Sequence, residues 1–363
     1  MEAGLEGINV AATELSEVDG AQGTLCVRGV PVAELARRAH LEDAIALLWD
    51  GALPGPDLDG SGATAGQERS QRLGAARVRA WPLVQRAHEA LSAVDGMVAL
   101  RGGLSLLDGA DDEEIVASVA VLVAAWGRRR RGLEPLEPDP ALDHAADLHR
   151  MITGIREPAG ARALGRYLCT VAEHGMNAST FTARVVASTG SDPVSAVVAA
   201  LGALKGPLHG GAPGPVLDML EAVGTPEQAV PWIEAELAAG RRIMGMGHRV
   251  YRVRDPRAAV LEEVVTQLEA AGIAGDRLAL ARAVEAAAGS VLARHKPGRT
   301  LAANVEFYTA VLLDAVGMDR ALFTPLFACG RVVGWLAHVA EQRASGRMIR
   351  PKALYVGPRP PAA

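Results

Sequence analysis

The chain has 363 residues, 42 acidic against 37 basic side chains, and a formal net charge of −5. Hydrophobic residues make up 49% of it, which excludes global disorder, and the length accommodates two domains of the usual size of about 100–200 residues each. A mildly acidic chain without a basic stripe is a poor nucleic-acid binder.

Strand signals are few in chain order, and only Thr24 to Val30 offers a short β-type run. Leu53 to Gln67 is rich in Gly, Pro, Ser and Asp and reads as a surface loop. Ile115 to Trp126 is the longest nearly apolar run, too short to span a bilayer. Ala117, Ala120, Val121 and Ala124 recur within it at helical spacing. Arg128 to Arg131 end that helix, where cations favour the negative end of its dipole. Leu133 to Pro140 is a proline-punctuated connection. Ser191-Asp192-Pro193 then supplies a cap and an early proline for a helix over Val194–Leu204, and Lys205-Gly206-Pro207 stops it. Aromatics are only 4% of the chain, so Ala, Leu and Val fill the core of a nearly all-α protein. Three scattered cysteines (Cys26, Cys169, Cys329) lack metal-ligand spacing and fit a reducing compartment better than a disulfide framework. The first basic residue is Arg28, so neither a secretory signal nor a mitochondrial presequence is expected, and the reading is cytoplasmic.

Two glycine-rich interruptions, Gly206 to Ala212 and Gly245 to Arg249, place His209 and His248 where a plain helix cannot continue and where backbone can approach a ligand closely. Neither is a nucleotide fingerprint: Gly245-Met-Gly247 lacks a third glycine, and no Gly-Lys-Ser/Thr follows Gly206. His174, Glu306, Arg257, Arg331 and Arg350 complete the candidate set. Taken singly, each has an ordinary structural role, as a helix cap, a surface acid or a snorkelling cation. No HExxH or CxxC motif supports a metal, and Gly-x-Ser-x-Gly is absent, so a serine hydrolase is not indicated. Together the residues fit carbon–carbon bond formation on an acidic small molecule. A dicarboxylate needs fixed guanidiniums, a ketone needs a donor to polarise it, and a thioester needs a carboxylate base plus a neutral donor for the enolate oxygen.

The sequence resembles the citrate synthases, through blocks in the right order from residue 4 to about 357. They are Gly4-Leu-Glu-Gly-Ile-Asn-Val with Val18-Asp-Gly and Arg28-Gly, then His174 to Thr180, Gly202 to Ala212 and Gly245 to Arg257. Asn304 to Tyr308, Phe323 to Phe327, Arg331 to His338, Glu341-Gln342 and Arg350-Pro-Lys352 complete the series. The resemblance implies an all-α fold with a large helical domain (1–209 and 312–363), a smaller inserted helical domain (210–311), and an active site in the cleft between them. It implies that His209 holds the thioester oxygen of acetyl-CoA, that His248 donates to the oxaloacetate ketone, and that Glu306 is the base. His174, Asn177, Arg257 and Arg331 would surround oxaloacetate, and Phe327 would line the acetyl pocket. Arg350 would reach the neighbouring subunit of a homodimer. Backbone at Met244, Gly245, Met246 and Gly247 would face CoA, with Arg299 a candidate for a CoA phosphate. No permanently bound cofactor is expected, since acetyl-CoA acts as co-substrate. Glu306 stands where the family carries aspartate, and Ala303 where it carries proline. The extra methylene displaces the carboxylate by roughly 1 Å on an unchanged backbone. The alternatives are a 2-methylcitrate synthase using propionyl-CoA, one methylene different, and a binding or regulatory relative with little turnover.

Overall fold

The computed structural model describes residues 3–5, 7–38, 40–51, 65–209, 213–248, 250–273, 275, 277–295 and 302–358. A three-stranded antiparallel sheet opens the chain: β1 (Ser16–Asp19), β2 (Thr24–Val27) and β3 (Val30–Pro31), in that order. The predicted run Thr24–Val30 is thus two strands around a two-residue turn. Arg28 and Gly29 both take positive φ (44° and 80°), as a turn matched to strand twist requires.

The rest is helical. The first eight helices are α1 (Val32–Arg38), α2 (Leu41–Asp50), α3 (Ala65–Ala80), α4 (Pro82–Arg86), α5 (Gly96–Leu104), α6 (Asp112–Arg130), α7 (His144–Thr153) and α8 (Pro158–Val171). They are followed by α9 (Ala178–Ala187), α10 (Pro193–Leu204), α11 (Pro213–Val223), α12 (Ala229–Ala238), α13 (Pro256–Ala270), α14 (Arg277–His295), α15 (Val305–Ala315) and α16 (Phe323–Ser345). The predicted loop Leu53 to Gln67 departs from this at its end, where Ala65 to Gln67 already belong to α3. Residues 52–64 lie outside the described residues.

Short acidic and amide side chains set the helix starts. Asp111 accepts from the Glu114 N–H, Asp143 from Ala146, Asp192 from Ser195 and Asp255 from Arg257. Each such cap is worth about 1 kcal/mol. The helix at Pro193–Leu204 begins and ends where its cap and stop residues predict.

Two helices form the spine. Every residue of α6 from Ile115 to Gly127 is buried, so it is apolar all round, as a central helix must be. α16 packs on α6, α8 and α9. The span Arg320–Ser345 that contains α16 is long and apolar enough to cross a membrane, yet 94% of its apolar window is buried inside the protein, marking a core helix. Sequence reading picked Ile115–Trp126 as the longest apolar run because Arg331 and His338 interrupt α16. Two glycines let α8 press onto α16. A Cβ on Gly330 would stand 2.6 Å from Val171 Cγ2, and one on Gly334 would stand 2.3 Å from the Ala172 carbonyl oxygen. That close crossing fixes the C-terminal end of α8 and the residues just beyond it.

α13 packs on α15, α8 and α1, while α12 and α14 pack together and α11 lies on α15. The predicted boundary between residues 311 and 312 falls inside α15, which runs unbroken to Ala315.

Candidate active site

The chain after α8 supplies the first part of the site. Glu173 is buried, accepts from the Ser16 hydroxyl (2.9 Å) and the Gly175 N–H (2.5 Å), and lies 3.1 Å from His338 Nε2. Arg184 donates to His338 Nδ1 (2.9 Å), so the imidazole proton sits on Nε2 and points at Glu173. Burial opposes the charge on Glu173, but His338 and Arg331 hold its carboxyl below the usual range. This braced segment carries His174, whose Nε2 lies 3.1 Å from the Tyr251 hydroxyl. Burial, then the nearby Arg257 and Arg331 charges, pushes His174 well below an ordinary histidine, so it is neutral.

Asn177 caps α9. Its Oδ1 accepts from the Ser179 and Thr180 N–H groups (3.1 Å each), and its Nδ2 donates to the Gly175 carbonyl (3.2 Å) and to Thr180 Oγ1 (3.0 Å). The amide is therefore engaged at both ends in shaping the loop. Ser179 is the hub beside it. Its hydroxyl accepts from Trp335 Nε1 (3.1 Å), lies 2.7 Å from Asn177 Oδ1 and sits 2.8 Å from His209 Nε2. The one Ser179 hydroxyl proton is within reach of both Asn177 Oδ1, which it meets as a donor at 2.7 Å, and His209 Nε2 at 2.8 Å, so a switch of that proton to His209 fixes the ring tautomer. With the hydroxyl proton directed at His209 Nε2, the His209 proton is left on Nδ1. Burial, with Arg331 adding, lowers His209 to about 4, so the ring is a neutral donor.

Nδ1 of His248 accepts from the backbone N–H groups of Val250 (3.0 Å) and Tyr251 (3.2 Å), so its proton must be on Nε2. Burial, then Arg257, lowers it to about 4. The His174 and His248 rings lie 5.6 Å apart, and Tyr251 is 4.8 Å from His248. Arg257, in the first turn of α13, is held through Nε and Nη2 by Asp255 (3.1 and 2.8 Å), and its Nη2 is 3.5 Å from His248 Nε2. Asp255 also accepts from the Val305 N–H at the start of α15 (3.2 Å). One carboxylate therefore joins the two helices that carry Arg257 and Glu306.

Asn304 caps α15, and its Nδ2 donates to the Gly247 carbonyl (2.9 Å). The loop carrying Met244, Gly245, Met246 and Gly247 is pinned to this cap. Met246 pairs with Ala303, the Gly247 N–H reaches Ala302 O (2.8 Å), and the Asn304 N–H reaches Gly245 O (2.9 Å). Much of the backbone predicted to face CoA is thus already paired. Gly245 needs its glycine: φ is +72°, and a Cβ would stand 2.9 Å from Phe307. Glu306 occupies the first turn of α15, where the helix dipole favours an anion. Burial outweighs that and the attraction of Arg257, raising its carboxyl above an ordinary glutamate.

From α16, Arg331 donates Nε to the Val171 carbonyl (2.7 Å), and its guanidinium lies 4.9 Å over the Phe327 ring. Burial pushes it down to about 10, with Glu173 opposing and Arg257 adding. The electrostatic neighbours of Arg331 include Glu306 and Tyr167, whose buried hydroxyl has no hydrogen-bond partner among the described residues.

The fold thus gathers His174, His209, His248, Arg257, Glu306, Arg331 and Phe327. Arg350 lies on an exposed stretch after α16 and does not join them within one chain, and Arg299 falls outside the described residues. Sequence reasoning missed Ser179, Tyr251, Asp255 and Glu173. The first lies inside the quoted His174 to Thr180 block and the next two inside Gly245 to Arg257, but nothing local signals a serine 30 residues from its histidine.

Three neutral histidines, two arginines and a carboxylate of raised proton affinity thus lie in one cluster. The model of the citrate synthase C-terminal domain matches residues 4–352. The chain is 39% identical to the citrate synthase of Haloferax volcanii, with 98% of this chain and 95% of that one covered. It is 37% identical to the 2-methylcitrate synthase of Mycobacterium tuberculosis, over 98% and 90%. The crystal structure of citrate synthase from Thermotoga maritima superposes with a TM-score of 0.85 at 32% identity, covering 100% of this chain and 98% of that one. The chain belongs to the citrate synthase family. It is an acyltransferase that condenses acetyl-CoA with oxaloacetate to give citrate.

Proposed function

We propose that Glu306 is the base of this condensation, that His209 and His248 are its two oxygen donors, and that the smaller inserted domain 210–311 closes on the larger one to bring them together. The observation that carries the assignment is the pair of ring contacts that leave one nitrogen of each histidine unengaged by its neighbour. His248 Nδ1 accepts from two backbone N–H groups, which puts its proton on Nε2. His209 Nε2 lies 2.8 Å from the Ser179 hydroxyl, which leaves Nδ1 to carry the proton when that hydroxyl donates to it. A carboxylate is a weak base for a thioester methyl in water. The step becomes accessible where a neutral donor meets the enolate oxygen as it forms and where burial has raised the affinity of the base for a proton.

Glu306 removes a methyl proton from acetyl-CoA while the Nδ1–H of His209 stabilises the enolate oxygen. The enolate carbon then attacks the oxaloacetate ketone, and the Nε2–H of His248 meets the developing alkoxide. Water cleaves the resulting thioester, releasing citrate and CoA. Arg257 and Arg331 hold the oxaloacetate carboxylates with His174, and Phe327 lines the acetyl pocket. Asn177 supports this set from the α9 cap, and the 244–247 loop receives CoA together with Arg299. The added methylene of Glu306 is accommodated beside Ala303, where no proline ring constrains the entry to α15.

A homodimer is the working unit, with Arg350 of each chain completing the site of the other, and no permanent cofactor is needed. Cys26, Cys169 and Cys329 are thiols that form no disulfide with one another, which supports a cytoplasmic setting.

Following free-thiol release from acetyl-CoA and propionyl-CoA in the presence of oxaloacetate tests the reading. Faster release from acetyl-CoA is expected, and a preference for propionyl-CoA would identify a 2-methylcitrate synthase instead. Glu306→Gln is expected to abolish release while oxaloacetate still binds. Unchanged turnover in that variant removes Glu306 from the mechanism.

A further inference from the structure

A cavity of about 670 Å³ opens among α1, α2, α7 and α8, and none of its lining residues belongs to the cluster described above. Its size is that of a small-molecule site, typically about 300–1,000 Å³. Leu41, Leu142, Ala145, Ala146 and Ala161 form an apolar part of its buried and half-buried wall. Basic groups surround it: His40, Arg37, Arg156, Arg162 and Arg166.

The three acids in the same wall are already occupied. Asp143 caps α7 through the Ala146 N–H (2.7 Å), and Glu157 caps α8 through the Ala159 N–H (3.0 Å). Glu42 is buried and accepts from the His144 N–H (2.7 Å). Burial and then the Asp143 charge raise its carboxyl above an ordinary glutamate. Of the arginines, Arg156 is paired with Asp139 outside the wall. Arg162 is exposed and has no polar partner among the described residues, and it lies one turn before Arg166 on the same face of α8. Arg166 and Arg37 share one acid, Glu263 of α13, at 3.2 and 2.8 Å. Arg166 also donates Nε to the Ala36 carbonyl (3.0 Å) and Nη1 to Gln267 Oε1 (2.6 Å), so its longest and weakest tie is the one to Glu263. No Phe, Tyr or Trp lines the cavity, so a nucleobase has no ring to stack on.

We propose that this cavity binds an amphipathic anion, a carboxylate on an unbranched alkyl chain. The chain lies on the apolar wall, and the head group is held by Arg162 and Arg166 in competition with Glu263. Because Glu263 and Arg257 ride on the same helix, an occupied cavity loosens the tie between α8 and the helix that carries the substrate arginine. That consequence rests on the active-site reading, whereas the binding itself does not.

Isothermal titration of decanoate into the full chain, with and without CoA, tests the site. One saturable event per chain at submillimolar concentration is expected, undisturbed by CoA. Acetate should bind at least about 30-fold more weakly, because it leaves the apolar wall empty. Arg162→Ala should weaken decanoate by about tenfold at unchanged Tm, the size expected for one charge-assisted hydrogen bond. Glu263→Gln should tighten it about threefold or more by releasing Arg166. Lack of saturation, displacement by CoA, equal binding of acetate, or indifference to Arg162→Ala would each overturn the site. An unchanged affinity in Glu263→Gln would overturn the competition. Thiol release in the absence of decanoate, which reports on the proposed condensation, is independent of all these outcomes.

Discussion

Ser179→Ala is the substitution with the most to say about how the site works, because the serine sits behind the chemistry. Its hydroxyl is the partner of His209 Nε2 at 2.8 Å and of Trp335 Nε1 at 3.1 Å. Removing it strands the buried Trp335 N–H and the half-buried His209 Nε2, and a buried polar group left unpaired costs about 1–3 kcal/mol. Part of that cost appears as lower stability through Trp335. The rest appears at His209, whose proton is no longer assigned to Nδ1, so the enolate donor is present but loses its set tautomer and orientation. Outright loss of such a donor costs about 10²–10³ in kcat. A donor left in place but free to turn should cost less, about ten- to a hundredfold. Free-thiol release should therefore show kcat falling by that factor. KM for oxaloacetate should change little, since Arg257 and Arg331 do not touch Ser179. A variant with lowered Tm but kcat within twofold of the parent would show that the serine only packs. The tautomer argument for His209 would then fail.

Three further outcomes follow from the same geometry. Gly334→Ala places a methyl 2.3 Å from the Ala172 carbonyl oxygen and 2.5 Å from Glu173 Oε2, so backbone must move. Overpacking of this kind costs about 1–3 kcal/mol, and differential scanning should show Tm lower by roughly 2–6 °C. A raised KM for oxaloacetate should accompany it as His174 shifts, and parental values of both would contradict the close crossing. Arg350→Ala should cripple turnover yet be partly rescued in mixed dimers with Glu306→Gln chains, because one hybrid site then keeps both groups. Absence of any complementation argues that no site is shared. Acid should destabilise the fold through histidines buried in the neutral form. His144 is lowered to about 3 by burial and then Arg77, and His209 and His248 are lowered to about 4. The unfolded chain takes up these protons first, near pH 6.5. Their contribution is therefore intact above about pH 6.5 and is lost as pH falls towards 4 and then 3. Denaturant midpoints measured between pH 7 and 4 should decline over that window, and a flat profile would contradict neutral burial.

Local features of the fold were legible in the sequence wherever a few neighbouring residues decide them. Asp192 and Pro193 start α10, the arginines at 128–130 close α6, and the thin strand content follows from the helical spacing of Ala and Leu. α16 was harder to read. Its buried charges, Arg331 and His338, interrupt the apolar pattern that marks a core helix, and each is tolerated because partners from α8 and α9 meet it inside. The candidate site was legible as an inventory of residue types, since histidines beside glycines and arginines near turns stand out in any linear reading.

Their supports were not legible, because each contact closes a long loop. Glu173 meets His338 across 165 residues, Arg184 meets Gln342 across 158, and the Asn304 cap holds Gly247 across 57. By itself the sequence determined which side chains are available and which segments are helical, because periodicity and capping act over one or two turns. Only the tertiary structure decided which nitrogen of each histidine carries the proton and which arginine is already neutralised. It also decided that the half-buried acid of α15 holds its proton more tightly than an ordinary glutamate. Those properties depend on burial and on partners that folding alone brings within 3 Å.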